Sequence, residues 1–171
     1  MGDSFFTLFH LQQQGLRTPE ERTRVLGIIQ PIMEEIFAEA DFGRQRFELA
    51  MNRVEISPAA IFFLYEDPSG QVNRIRDQVR RKLFPRMLEI LGKDLYEALE
   101  PKIPSIIHST FVRFTGRAEN PQGLHAGLAA VAGEWVPTRV EVTSVCLALE
   151  DIPYMHVAHD AKQMVALLQL E

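Results

Sequence analysis

The chain alternates between two hydrophobic periods, twice over and in the same order. That repetition restricts its fold more than any single residue does. Phe5 to Leu11 is rich in aromatic and aliphatic residues and predicts a strand. After a polar connection over Gln12 to Arg17, Thr18-Pro19-Glu20-Glu21 announces a helix. Thr18 can cap it, Pro19 suits the first turn, and Glu21 can close a capping box. Val25, Ile28, Ile29, Ile32, Met33, Ile36 and Phe37 then recur on one helical face, with Pro31 expected to kink the helix. Phe47, Leu49 and Met51 alternate with polar residues, as a strand with one wet face does. After the Ser57-Pro58 break, Ala59 to Tyr65 is apolar throughout and should lie deeper in a sheet. Asp67-Pro68-Ser69-Gly70 is a turn. A second amphipathic helix follows, carrying Val72, Ile75, Val79 and Leu83 inward, with Pro85 as a kink or an end and Met87 to Leu91 continuing the apolar face. Pro101 and Pro104 mark a loop before a strand over Ile106 to Phe114. A short helix near Leu124 to Val131, a long strand over Val140 to Leu149 and a last strand at Tyr154 to Ala158 complete the reading. The order predicts an α+β fold of two similar lobes with antiparallel sheets, not a parallel doubly wound sheet.

Length and composition agree with a single unit. At 171 residues the chain fits one domain of two lobes spanning 1–171, with no linker long enough to separate independent domains. The net charge of -5 argues against wholesale coating of nucleic acid. No apolar run approaches the ~20 residues needed to cross a bilayer as a helix. Met1-Gly2-Asp3-Ser4 does not read as a secretory signal, and Phe6 stands where a myristoylation site needs Ser or Thr. The lone Cys146 cannot close an intrachain disulfide. Its Val/Leu-rich surroundings predict a buried thiol in a reducing intracellular compartment.

The chemistry concentrates in His108-Ser109-Thr110. On a strand, His-x-Thr puts an imidazole and a hydroxyl on one face, because side chains alternate with a period of two. One such pair can bind a phosphate, and two facing pairs can do acid/base chemistry on it. An imperfect echo lies near the N-terminus as Phe5-Phe6-Thr7, where the hydroxyl is kept and the imidazole is replaced.

These segments resemble the two-histidine phosphoesterase superfamily, which includes RNA-ligase-like cyclic phosphodiesterases and the related domain of A-kinase anchoring proteins. His108-Ser109-Thr110-Phe111-Val112-Arg113 resembles its second motif, including the Arg that often follows. Phe5-Phe6-Thr7-Leu8-Phe9-His10-Leu11 resembles its first motif with the His replaced. Phe47 to Ile56, Ala59 to Tyr65, the helix from Gln71 and the strand over Trp135 to Glu150 resemble the intervening and closing elements. The resemblance implies a pseudo-symmetric fold in which the strands of Thr7 and Thr110 lie near each other across a cleft. It implies phosphate binding by Thr7 and Thr110, and catalysis, where it survives, by His108 with Thr110. In that family one His takes a proton and the other gives one, each worth roughly 10²–10⁴-fold. Phe5 can do neither.

The resulting expectation is a degenerate, inactive phosphoesterase-like domain that binds or scaffolds within a larger protein assembly. The alternative is a 2′,3′-cyclic phosphodiesterase or RNA-end phosphoesterase using His108 and Thr110. A nucleotide-binding module without turnover stands between them. His10 is out of register with Phe5 and Thr7 and reads as a surface or partner-contacting residue, and Arg113 alternates away from His108 and suits a structural or rim role. His156, His159 and Asp160 fall short of the four ligands of a structural metal site, so neither metal nor cofactor is expected. Arg74, Arg76, Arg80, Arg81, Lys82 and Arg86 lie mostly on the polar face of the second helix, as a solvated face or as a contact for RNA or an acidic partner. Met164, Val165, Leu167, Leu168 and Leu170 form an apolar end that either packs on its own core or docks onto a protein partner.

Overall fold

A computed structural model describes residues 11, 18–39, 44–116, 119–148 and 164–171, and at 146–148 and 164–167 the backbone alone. Residues 5–10 of the expected first strand, the 12–17 connection and the strand at Tyr154 to Ala158 lie outside the described residues, as does the burial of the Cys146 thiol.

The first helix, α1 (Pro19–Phe37), starts where the capping box places it. The Thr18 hydroxyl accepts from the Glu21 amide at 3.2 Å, and the Glu21 carboxylate accepts from the Thr18 amide at 3.0 Å. Two of the amide donors left over at a helix start are thereby satisfied. Helical structure runs on through Pro31, whose ring lies on the exposed side. Val25, Ile29, Ile32, Met33, Ile36 and Phe37 are buried, and Ile28 packs beside them.

Two strands follow as an antiparallel hairpin, β1 (Phe47–Ile56) and β2 (Ala60–Glu66). Then Asp67 organises a turn. Its carboxylate accepts from the Ser69 hydroxyl at 2.6 Å and from the Val72 amide at 2.7 Å. Gly70 sits at φ +70°, a left-handed conformation that favours glycine. The second helix is three consecutive pieces: α2 (Gln71–Gln78), a π-helical turn over Val79–Leu83, and α3 (Phe84–Leu91). Pro85 therefore neither ends the helix nor stands alone. The wider π turn immediately before it absorbs the carbonyls that a proline cannot bond, and the Phe84 amide reaches back to the Val79 carbonyl. Val72, Ile75, Val79, Leu83, Met87 and Leu91 all stay buried along the three pieces.

A further helix, α4 (Lys93–Leu99), was not expected from the sequence. It is set off by Gly92 at φ +79° and anchored by the fully buried Leu99. After the Pro101–Pro104 loop come β3 (Ile107–Arg113), the exposed α5 (Pro121–Gly133), β4 (Thr138–Val142), β5 (Ser144–Ala148) and β6 (Met164–Gln169).

The long strand expected over Val140 to Leu149 is thus divided at Thr143. Its first part completes a four-stranded sheet of order β3-β2-β1-β4, and its second pairs with β6 in a separate two-stranded sheet. Among the described residues every strand pairing is antiparallel, in keeping with the mixed α+β reading. One face of the larger sheet packs against the helices. Phe47, Leu49, Tyr65, Ile107 and Val142 meet α1, α2 and α3 there in one core.

The last apolar residues of the chain, Leu168 and Leu170, are used within it. Leu170 is 4 % exposed and belongs to that core, and Leu168 packs against it. The Leu170 amide donates to the Thr143 carbonyl at 2.8 Å, and the Arg46 amide to the Glu171 carbonyl at 3.2 Å. Leu168 and Leu170 therefore take the first of the two alternatives, packing on the chain's own core, and the side chains of Met164, Val165 and Leu167 lie outside what is described.

Candidate functional site

The site is built on β3, the outermost strand of the sheet among the described residues, and its neighbour β2. Their register pairs Tyr65 with Ile107, Leu64 with His108, Phe63 with Ser109 and Phe62 with Thr110. Residues directly opposite each other point to the same side of a sheet. Tyr65, Phe63 and Ser109 therefore face the helices, while His108 and Thr110 face the other way. The hydrogen bonding agrees with this division. The Tyr65 hydroxyl lies 2.7 Å from the Ser109 hydroxyl, so the middle residue of His108-Ser109-Thr110 secures a buried phenol from the core side.

Beyond Thr110 the register shifts. Ile61 pairs with Val112 and Ala60 with Arg113, which leaves Phe111 as the extra residue of a β-bulge. Phe111 turns to the helix side and stacks on Phe63 at 5.0 Å, and Phe63 in turn lies 4.9 Å from Trp135. The extra residue reverses the alternation downstream. Arg113, opposite Ala60, comes round to the face of Leu64 and Phe62, and so to the face of His108 and Thr110. The expectation that Arg113 alternates away is corrected: simple parity holds only while the ladder is regular.

The open face, meaning the one turned away from α1, α2 and α3, thus carries an imidazole, a hydroxyl and a guanidinium along one strand. His108 is half-buried, while Thr110 and Arg113 are exposed. The His108 ring meets Phe62 edge-on, with centroids 5.5 Å apart and planes at 72°. Burial holds His108 below its ordinary pKa of 6.5, and the positive charges of Arg76 and Arg113 lower it further. The imidazole is accordingly neutral at neutral pH. A neutral imidazole can take a proton, a hydroxyl can donate a hydrogen bond, and a guanidinium can pair with an anion. The arrangement can accept a proton and hold an anion at that face of β3.

Phe5 and Thr7, the other half of the expected site, lie outside the described residues, as do His10, His156, His159 and Asp160. Among the described residues no cluster of three or more His, Cys, Asp or Glu side chains could hold a metal ion. Also among them, no helix is long and apolar enough to cross a membrane.

Most of the basic series is engaged within the chain. Arg74 donates to the Ser69 carbonyl at 2.9 Å, Arg80 pairs with Asp77 at 2.7 Å, Arg86 with Glu35 at 2.7 Å, and Lys82 with Glu39. Arg76 departs from the expected polar face. It is 4 % exposed and donates to the Ile106 carbonyl at 2.9 Å. Its spacing from Val72 and Val79 carried that signal, since these place position 76 on the apolar stripe.

Comparison with known proteins gives no match to a protein-family model, a curated protein or a solved structure.

Proposed function

We propose that this chain is a phosphate-ester-binding domain of two-histidine phosphoesterase type, pseudo-symmetric in fold, whose first motif has lost its histidine and with it efficient turnover. One observation carries the reading: His108, Thr110 and Arg113 share the open face of β3. The sequence supplies the rest. By the motif resemblance Phe5 stands at the position of the lost histidine, so it supplies neither the proton transfer nor the polar contact that a phosphate needs, and turnover and anion binding would both be weaker. Thr7 and Thr110 keep the hydroxyls that hold the phosphate. A binding or scaffolding role inside a larger assembly rests mainly on the impaired motif, since Leu168 and Leu170 of the apolar end pack within the chain. Native mass spectrometry of material from its source tests that part.

The central test is incubation with a 2′,3′-cyclic nucleotide. We expect binding that His108→Ala and Arg113→Ala each weaken, with no or very slow hydrolysis. Phe5→His is expected to restore some turnover. Robust hydrolysis by the native chain that disappears on His108→Ala would establish the alternative, a working cyclic phosphodiesterase or RNA-end phosphoesterase with another proton donor.

A further inference from the structure

Arg76 occupies a position that helical spacing reserves for an apolar side chain. Val72, Ile75 and Val79 around it are at most 1 % exposed, and Arg76 itself is only 4 % exposed. An arginine is rarely buried to this degree unless something holds it there. Its guanidinium donates to the Ile106 carbonyl at 2.9 Å. Ile106 immediately precedes β3 and lies two residues before His108. The helix that carries Arg76 is itself fixed at its start by the Asp67 turn. Burial lowers the pKa of the guanidinium and the Asp67 carboxylate raises it, and at any ordinary pH the group stays charged.

We infer that Arg76 is a positioning residue for the His108 face, a buried cation that ties α2 to the backbone leading into β3. A neutral amide could satisfy one carbonyl. A charge at this position also acts on what lies beyond that carbonyl, and of the two positive charges that lower the His108 pKa, Arg76 acts more strongly than Arg113. On the His108 face itself the register places Glu66 of β2, Glu48, Arg53 and Glu55 of β1, Arg139 and Glu141 of β4 and Arg113 of β3, with Glu48 and Arg139 paired at 2.8 Å. Arg53 and Glu55 pair with each other at 3.0 Å. Arg76 thus acts from the helix side and Arg113 from the open side, and both favour a neutral imidazole ready to accept a proton or a hydrogen bond. The inference deepens the phosphate reading, on which its functional meaning rests.

The test follows the imidazole signals of His108 by NMR through a pH titration of the full chain without ligand. Arg76→Gln, which keeps a donor and removes the charge, should shift the His108 midpoint upward by more than the fitting error. Arg76→Lys, which keeps the charge, should leave it near the native value. An unchanged midpoint in a folded Arg76→Gln chain overturns the inference, because a purely structural arginine would lower stability without moving that titration. Should Arg76→Gln fail to fold, the native chain still decides. Separate, exchange-protected Arg76 Nη–H signals support the clamp, and a single averaged, exchanging signal overturns it. A second arm titrates inorganic phosphate and 2′,3′-cyclic AMP into the native chain. Absence of a response at His108 in that arm removes the phosphate reading and leaves the Arg76 result standing.

Discussion

Ser109 is the residue of His108-Ser109-Thr110 that points away from the open face, and it bonds the buried Tyr65 hydroxyl at 2.7 Å. A buried phenol without a partner bears the cost of lost hydration. Ser109→Ala should therefore destabilise the chain by ~1 kcal/mol in urea denaturation, and Tyr65→Phe by a similar amount. The double variant should cost less than the sum, because the two side chains share one bond. His108 makes a different prediction. Its folded pKa lies below the ordinary 6.5, through burial first and then Arg76 and Arg113. Between the folded value and 6.5 the unfolded chain binds more protons than the folded one, so stability rises with pH across that window. The contribution is full above about 6.5 and is lost as pH falls through the lowered folded value. Denaturation midpoints of His108→Gln measured from about pH 4 to 8 should fall less steeply on the acid side than those of the native chain.

At the scale of elements, the capping box offers the most direct check. Thr18→Ala removes the side-chain acceptor of the Glu21 amide and should cost ~1 kcal/mol, read as a lower urea midpoint. An unchanged midpoint would mean that other contacts hold the start of α1. This element was legible in the sequence because its signals are local: a cap, a proline in the first turn and an apolar stripe all fall within one short stretch of chain. The hairpin of β1 and β2, the Asp67 turn and the buried stripe from Val72 to Leu91 were legible for the same reason. What escaped was set by contacts distant in sequence. The bulge at Phe111 depends on the partner strand and on a stacking site at Phe63, so parity along β3 misplaced Arg113. The break at Thr143 depends on which strand each half meets, β1 or β6. The helix α4 is too short for its period to stand out, and Leu99 becomes buried only in the assembled core. Of the site, the shared face of His108 and Thr110 was readable from alternation alone, and the inward pull on Arg76 was present in its spacing but masked by its charge.

At the scale of the whole molecule, the core is closed by residues from both halves of the sequence. Leu170 packs in the same cluster as Val25 and Phe37 of α1. Leu170→Ala should cost about 2–5 kcal/mol, the range for truncating a buried leucine, and calorimetry should show a correspondingly lower melting temperature. A loss well under ~1 kcal/mol would place the C-terminal end outside the cooperative unit. The strand order carries a further consequence for the chain as it is made. β1 sits inside the larger sheet, between β2 and β4, yet β4 begins at Thr138 and β1 ends at Ile56. At ~5–20 residues per second, a ribosome needs on the order of ten seconds to supply that missing neighbour. For that interval the β1 edge of the nascent hairpin lacks its final neighbour, and an unpaired edge invites other strands. Glu48, on that strand, later pairs with Arg139 at 2.8 Å. Before Arg139 has been synthesised, the same carboxylate is a charge standing guard on an unfinished sheet.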